Sequence, residues 1–159
     1  MESKRLRILI IDDKEGGFGA GNWREFCDEF GCDCEVVIGH TIEEFMDALR
    51  PILGPRAPTT FHGTILDVNF GGRNKEGGVR LYQRLESENL AAHLGRLLVT
   101  TQCARREVVE AFVKATAADL NLQTSKRHKR AKFCEWIERL RRLYHDEVRS
   151  TPGESGGKG

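Results

Sequence analysis

No run of apolar residues in this chain is long enough to cross a membrane. The N-terminal segment RLRILIIDD offers only about six apolar residues before two aspartates, too few for a spanning helix or a signal peptide. An excess of one charge sign is equally lacking. Lys and Arg total 25 against 24 Asp and Glu, and a net charge of +1 removes any bulk attraction to nucleic acid or to a membrane surface. Paired C-x-x-C spacing is missing too. Cys27, Cys32, Cys34, Cys103 and Cys134 form an odd set with no fourth ligand to complete a zinc site, and without an export signal they are expected as reduced thiols. The histidines show no paired spacing, and neither an internal repeat nor a second compositional block appears. A cytoplasmic protein with one domain over residues 1–149 and a flexible Gly/Ser/Pro tail over 150–159 is expected.

What is present is an alternation of short apolar runs with amphipathic stretches. Residues 7–11, 35–38, 62–68 and 96–100 read as strands, and 120–124 as a weaker fifth. Between them, Asn22 is expected to cap a helix through Trp23, Phe26, Cys27 and Phe30, with Gly31 as its stop. Thr41 and Glu44 form a capping box for a second helix that Pro51, Pro55 and Pro58 are expected to end. Residues 78–85 and 106–114 read as further helices. Residues 132–148 carry Phe133, Trp136, Ile137, Leu140 and Tyr144 on one stripe. Strand–helix alternation of this kind produces a parallel sheet covered on both faces, with ligands bound outside the carboxyl ends of its strands.

Those strand ends hold Asp12 and Asp13, Asp67, Thr100 and, after the fifth strand, Lys126. Three carboxylates converging on one point repel strongly, and a hard divalent cation with oxygen ligands, most often Mg2+, is the usual relief. One carboxylate left nucleophilic, beside a hydroxyl and a lysine able to neutralise phosphoryl oxygens, makes a site for phosphoryl transfer.

The segments RILIIDD, GTILDVNF and RLLVTT resemble, in order and separation, the strand-end motifs of response-regulator receiver domains, over about residues 5–145. The resemblance implies a flavodoxin-like, doubly wound five-stranded parallel sheet of order 2-1-3-4-5. It implies Mg2+ at Asp12, Asp13, Asp67 and the backbone carbonyl of Asn69, with Asp67 as phosphoacceptor contacted by Thr100 and Lys126. It further implies a sensor histidine kinase or phosphotransfer protein as donor. A downstream protein would bind the face of the fourth and fifth strands and the helices after them, with the basic run 127–132 supplying charge and Trp136 or Tyr144 anchoring contacts if exposed. The family's proline after the lysine is Arg127 here, which makes Lys129 a rival to Lys126. Thr124 stands in place of the usual aromatic, and the glycine-rich loops at 16–21 and 70–78 are longer than the family's.

Other readings fit less of the sequence. A haloacid-dehalogenase-like phosphatase needs a second acid two residues after its nucleophile, where Lys14 follows Asp12. The glycines at 17, 19 and 21 stop short of a dinucleotide fingerprint, since Asn22 stands where its last glycine belongs. The tail GESGGKG lacks the strand, Ser or Thr and helix of a phosphate loop. A pseudo-receiver, keeping the acidic pocket as an interaction module without phosphorylation, is the remaining alternative. On the first receiver reading the chain is a phosphoryl acceptor, with self-dephosphorylation as its only expected catalysis.

Overall fold

The computed structural model describes residues 5–14, 19–54, 60–70, 76–101 and 105–148. Residues 16–18 and 71–75 of the two glycine loops, Cys103, Pro55, Pro58 and the tail lie outside the described residues.

Five strands, β1 (Arg7–Asp12), β2 (Asp33–Ile38), β3 (Gly63–Asp67), β4 (Arg96–Thr100) and β5 (Asp119–Asn121), form one parallel sheet in the order β2-β1-β3-β4-β5. That is the expected order. The helices are α1 (Ala20–Glu29), α2 (Ile42–Leu53), α3 (Gly77–Ser87), α4 (Arg106–Thr116), α5 (Lys126–Leu143) and a last turn, α6 (His145–Val148). A 3-10 turn at Ala91–Leu94, not foreseen in the sequence, leads into β4. None of the described helices is long and apolar enough to cross a membrane.

Alternation along the central strands explains why both faces are covered. Leu9 and Ile11 of β1 turn towards α2, α3 and α4, in a core with Phe45, Leu49, Leu81, Leu85 and Phe112. Ile8 and Ile10 turn the other way, towards α1 and α5, where they meet Trp23, Phe26, Phe133, Trp136 and Leu140. Successive strand residues point to opposite faces, so a run of consecutive apolar residues is what a central strand with two cores requires.

Several boundaries move, each for a local reason. Asn22 lies inside α1 and is buried. The helix starts at Ala20, whose N–H donates to the Lys14 carbonyl (2.8 Å), with Gly19 at the cap position. Pro51 does not end α2, because Leu49 and Leu53, both fully buried, carry the helix past it while the proline faces solvent. The capping box holds: Thr41 Oγ1 accepts from Glu44 N–H (3.1 Å), and Glu44 Oε1 accepts from the His40 amide (2.7 Å). β5 is shorter than expected and begins at Asp119, whose buried carboxylate is paired with Arg139 of α5. The final helix begins at Lys126, six residues before the expected start at Lys132, since Ser125 Oγ accepts from His128 N–H (3.2 Å) and draws the basic run into its first turns.

Gly63 opens β3 directly beneath α5. A Cβ there would come within 2.6 Å of Trp136 Cζ2 and 2.9 Å of Leu140 Cδ1, so the strand and helix approach only because that side chain is missing. Gly63→Ala should cost about 1–3 kcal/mol in urea unfolding through overpacking. Trp136→Phe in the same chain should recover part of that loss, whereas additive costs in the double-mutant cycle would show that the two positions do not press on each other.

Candidate functional site

The register brings the acidic strand ends together. Ile11 pairs with Leu66 across β1 and β3, so Asp12 and Asp67 leave the sheet side by side. Asp13 joins them, and one carboxylate oxygen from each of the three lies within 4.8 Å of the others. Backbone amides orient two of these acids: Lys14 N–H donates to Asp12 Oδ1 (3.0 Å) and Asn69 N–H to Asp67 Oδ1 (2.9 Å). Asp12 and Asp67 are only 5% and 8% exposed. Burial above all raises the carboxyl of Asp12 to about 7 and that of Asp67 to about 8, with repulsion from the neighbouring carboxylates adding to it.

Around these acids stand the groups that could answer their charge. Thr100 is in register with Asp67 on one side and Asn121 on the other. Its hydroxyl oxygen accepts from Asn121 Nδ2 (3.2 Å), which leaves the hydroxyl proton to be donated elsewhere. Thr101 Oγ1 donates to Asn69 Oδ1 (2.8 Å), fixing the segment just after Asp67. Gly77 and Gly78 let the first turn of α3 press against that same segment: a Cβ on Gly78 would come within 2.5 Å of the Asp67 carbonyl oxygen.

The lysine is where the sequence reading and the geometry part. Lys126, in the first turn of α5, has a side chain 60% exposed, and its Nζ pairs with Glu25 Oε1 of α1 at 2.7 Å. It does not reach the carboxylates. Lys129, one turn further on, is 2% exposed, with its Nζ 5.7 Å from the centre of the Trp23 ring. Burial lowers its ammonium pKa, while the charges of Asp12 and Asp67 pull the other way. The physical reason is helical spacing: 129, 133, 136 and 140 fall on one face, so Lys129 continues the buried stripe of Phe133, Trp136 and Leu140. That spacing was the signal available in the sequence.

Two further features had weaker signals. Asn121 was hidden in a strand too short to read with confidence from alternation. Glu76, buried at the start of α3, receives Arg105 at the start of α4 through Nη2 (2.9 Å) and Nε (3.2 Å), and also the Arg105 amide (3.3 Å). Those bonds hold its carboxyl down at about 2 and tie the two loops that flank Asp67 and Thr100. No spacing rule links residues so far apart in sequence. Two members of the basic run at the start of α5 are answered by α1: Lys126 pairs with Glu25 and Arg130 with Glu29.

No family model matches the chain, nor does any curated protein sequence. Solved structures do match. A CheY-like response regulator receiver domain protein from Methanospirillum hungatei superposes with a TM-score of 0.59 at 17% identity, covering 88% of this chain and 99% of that one. The receiver domain of Francisella response regulator 1452 gives 0.57 at 16%, covering 89% and 98%. A response regulator from Thermotoga maritima gives 0.58 at 15%, covering 86% and 97%. The chain has the receiver-domain fold. In this receiver fold the acidic cluster lies at the carboxyl edge of the sheet, and its three hard oxygen donors, repelling one another and partly buried, suit a small divalent cation.

Charge crowding makes a stability prediction whose sign is fixed. With folded values near 7 and 8 against about 4 in an unfolded chain, the cation-free protein binds more protons folded than unfolded. The protonated acids therefore favour the fold below about pH 4, and that contribution is lost as pH rises towards about 8. In the presence of a chelator, Asp67→Asn should be the more stable protein at about pH 9, by about 1–3 kcal/mol in urea unfolding, and the gap should close towards about pH 4. A gap independent of pH would remove Asp67 from the crowded set.

Proposed function

We propose that this chain is the phosphoacceptor receiver of a two-component phosphorelay, taking its phosphoryl group on Asp67 and signalling by phosphorylation-dependent protein binding in the cytoplasm. One observation carries this reading: a buried lysine, Lys129, faces the paired acids Asp12 and Asp67, with the Thr100 hydroxyl in register on the adjoining strand. A buried ammonium and a hydroxyl beside a crowded carboxylate are the groups needed to neutralise an incoming phosphoryl group.

Asp12, Asp13, Asp67 and the Asn69 carbonyl would hold Mg2+. Its charge, when bound, keeps the carboxylates ionised and offsets that of the donor phosphate. Asp67 then attacks phosphorus with one carboxylate oxygen, and the bond to the donor's leaving atom breaks with its electron pair departing on the donor. Thr100 donates its free hydroxyl proton to one phosphoryl oxygen, and Lys129, in the role expected of Lys126, approaches another. The donor would be a sensor histidine kinase or a phosphotransfer protein. The output surface would be the face of β4, α4, β5 and α5. Trp136 cannot anchor a partner there, being fully buried, and Tyr144 is half-buried against His62. The pseudo-receiver remains the second reading, favoured by Arg127 and Thr124 standing where the family has a proline and an aromatic residue.

Incubation with acetyl phosphate and Mg2+, followed by intact mass measurement, tests both. The phosphorylated receiver gains about 80 Da, the mass of one phosphoryl group. Asp67→Asn should gain nothing, Lys129→Ala should be labelled at least about tenfold more slowly, and Lys126→Ala should stay within about twofold of the parent. An unlabelled parent would establish the pseudo-receiver, and equal labelling of Asp67→Asn would overturn the acceptor assignment.

A further inference from the structure

The helices α3 and α4 do not close on each other along their outer sides. Each connects neighbouring strands of the same parallel sheet, so the two run side by side in one direction, and they touch through Tyr82 and Phe112, whose rings meet edge to face at 5.2 Å. Beside that contact a groove of about 530 Å³ stays open. Val79 and Phe112, both buried, form its floor with the half-buried Tyr82. Val108, Ala111 and Ala115 follow at helical spacing along the α4 wall. Ala111 and Ala115 are exposed, apolar and small, so another backbone can come close to α4 there.

We propose that this groove is a docking site for an amphipathic helix of a partner protein, one whose apolar stripe is about two turns long and carries Lys or Arg at both ends. Docking there requires no phosphoryl transfer at Asp67, and it uses the side of α4 that faces α3.

Charge at the two ends of the groove selects the flanks of its occupant. Glu107 lies in the first turn of α4 and Glu86 in the last turn of α3, so with parallel helices they stand at opposite ends, about 10–14 Å apart along the axis. Among the described residues neither carboxylate has an ion-pair partner, whereas the nearby Glu88 and Glu110 are paired with Arg50 and Arg106. Two unanswered carboxylates at the ends of an apolar floor attract a cation to each end and repel an acidic flank. The lining belongs to helices throughout, so an extended peptide would find no backbone groups to pair with, while a helix brings its own hydrogen bonds already made. Leucines at i, i+4 and i+7 of such a helix span about 10 Å, which matches the length of the floor. A second copy of this chain fits less well. Among the described residues the large apolar side chain left exposed is Leu143, and one leucine does not fill a groove of that length.

A fluorescein-labelled peptide of about 15 residues, with Leu at i, i+4 and i+7 and Lys at both ends of that stripe, is titrated with the full chain and its polarisation read, without Mg2+ or a phosphodonor. It should bind at least about tenfold more tightly than a peptide of the same composition whose leucines are spread round the helix. Ala115→Arg, which puts bulk and a like charge into the groove from an exposed helix position, should weaken binding at least about tenfold and leave the urea unfolding midpoint in place. The double variant Glu86→Lys, Glu107→Lys should reject this peptide and accept one with Glu in place of its lysines, an exchange that a general loss of structure does not produce. Absent binding, equal binding of the two leucine arrangements, undiminished binding to Ala115→Arg, or no exchange of preference on charge reversal would each overturn the proposal. So would sedimentation showing that the parent chain self-associates and that Ala115→Arg makes it a monomer, which would give the groove to a second copy.

Discussion

Mutual repulsion of three carboxylates, held where water reaches them only in part, is the constraint around which the rest of the molecule is arranged. The parallel register makes it unavoidable, because adjacent strands that end in aspartate put their charges at one edge. Two backbone amides and one buried ammonium relieve part of it. Lys129 is itself buried, over the Trp23 ring, so each side of this arrangement carries a desolvation cost that the other partly offsets. Removing either side alone would leave an uncompensated charge in the interior.

A second tie crosses the top of the sheet. Glu76 and Arg105 join the start of α3 to the start of α4, each helix following a strand that delivers a residue to the pocket. Thr101 and Asn69 make the corresponding link one layer closer to the sheet. The loops after β3 and β4 are therefore coupled by a charged pair and a neutral one, and neither can move far without the other. This polar lacing connects the pocket to α4.

Much of this was legible in the sequence where apolar runs and turn chemistry agreed. Arg7 to Ile11, a run of isoleucine and leucine, read as a strand buried on both faces, and Thr41 with Glu44 marked its helix start correctly. Legibility failed where long-range contacts overrode a local signal. Asn22 had the chemistry of a cap, yet the Lys14 carbonyl two residues past β1 set the start of α1. Pro51 had the chemistry of a stop, yet two buried leucines outweighed it. Lys126 stood where a strand-end lysine was wanted, but Ser125 turned the run into a helix and handed the interior position to Lys129. In each case the deciding partner lay on another element or was defined only once that element had formed.

Placing the pocket's cation on a helix also has a mechanical side. A lysine on a loop can shift by adjusting a few backbone torsions, leaving the rest of the protein at rest. Lys129 is one turn inside an 18-residue helix, a stiff rod about 27 Å long, and its ammonium lies over the Trp23 ring. Any displacement of its ammonium beyond the reach of its own rotamers must tilt or slide the whole rod. The far end of that lever carries Tyr144, whose ring lies 4.8 Å from that of His62 near the opposite edge of the sheet. A change of charge at one rim of the molecule is thereby geared to the position of an aromatic ring at the other.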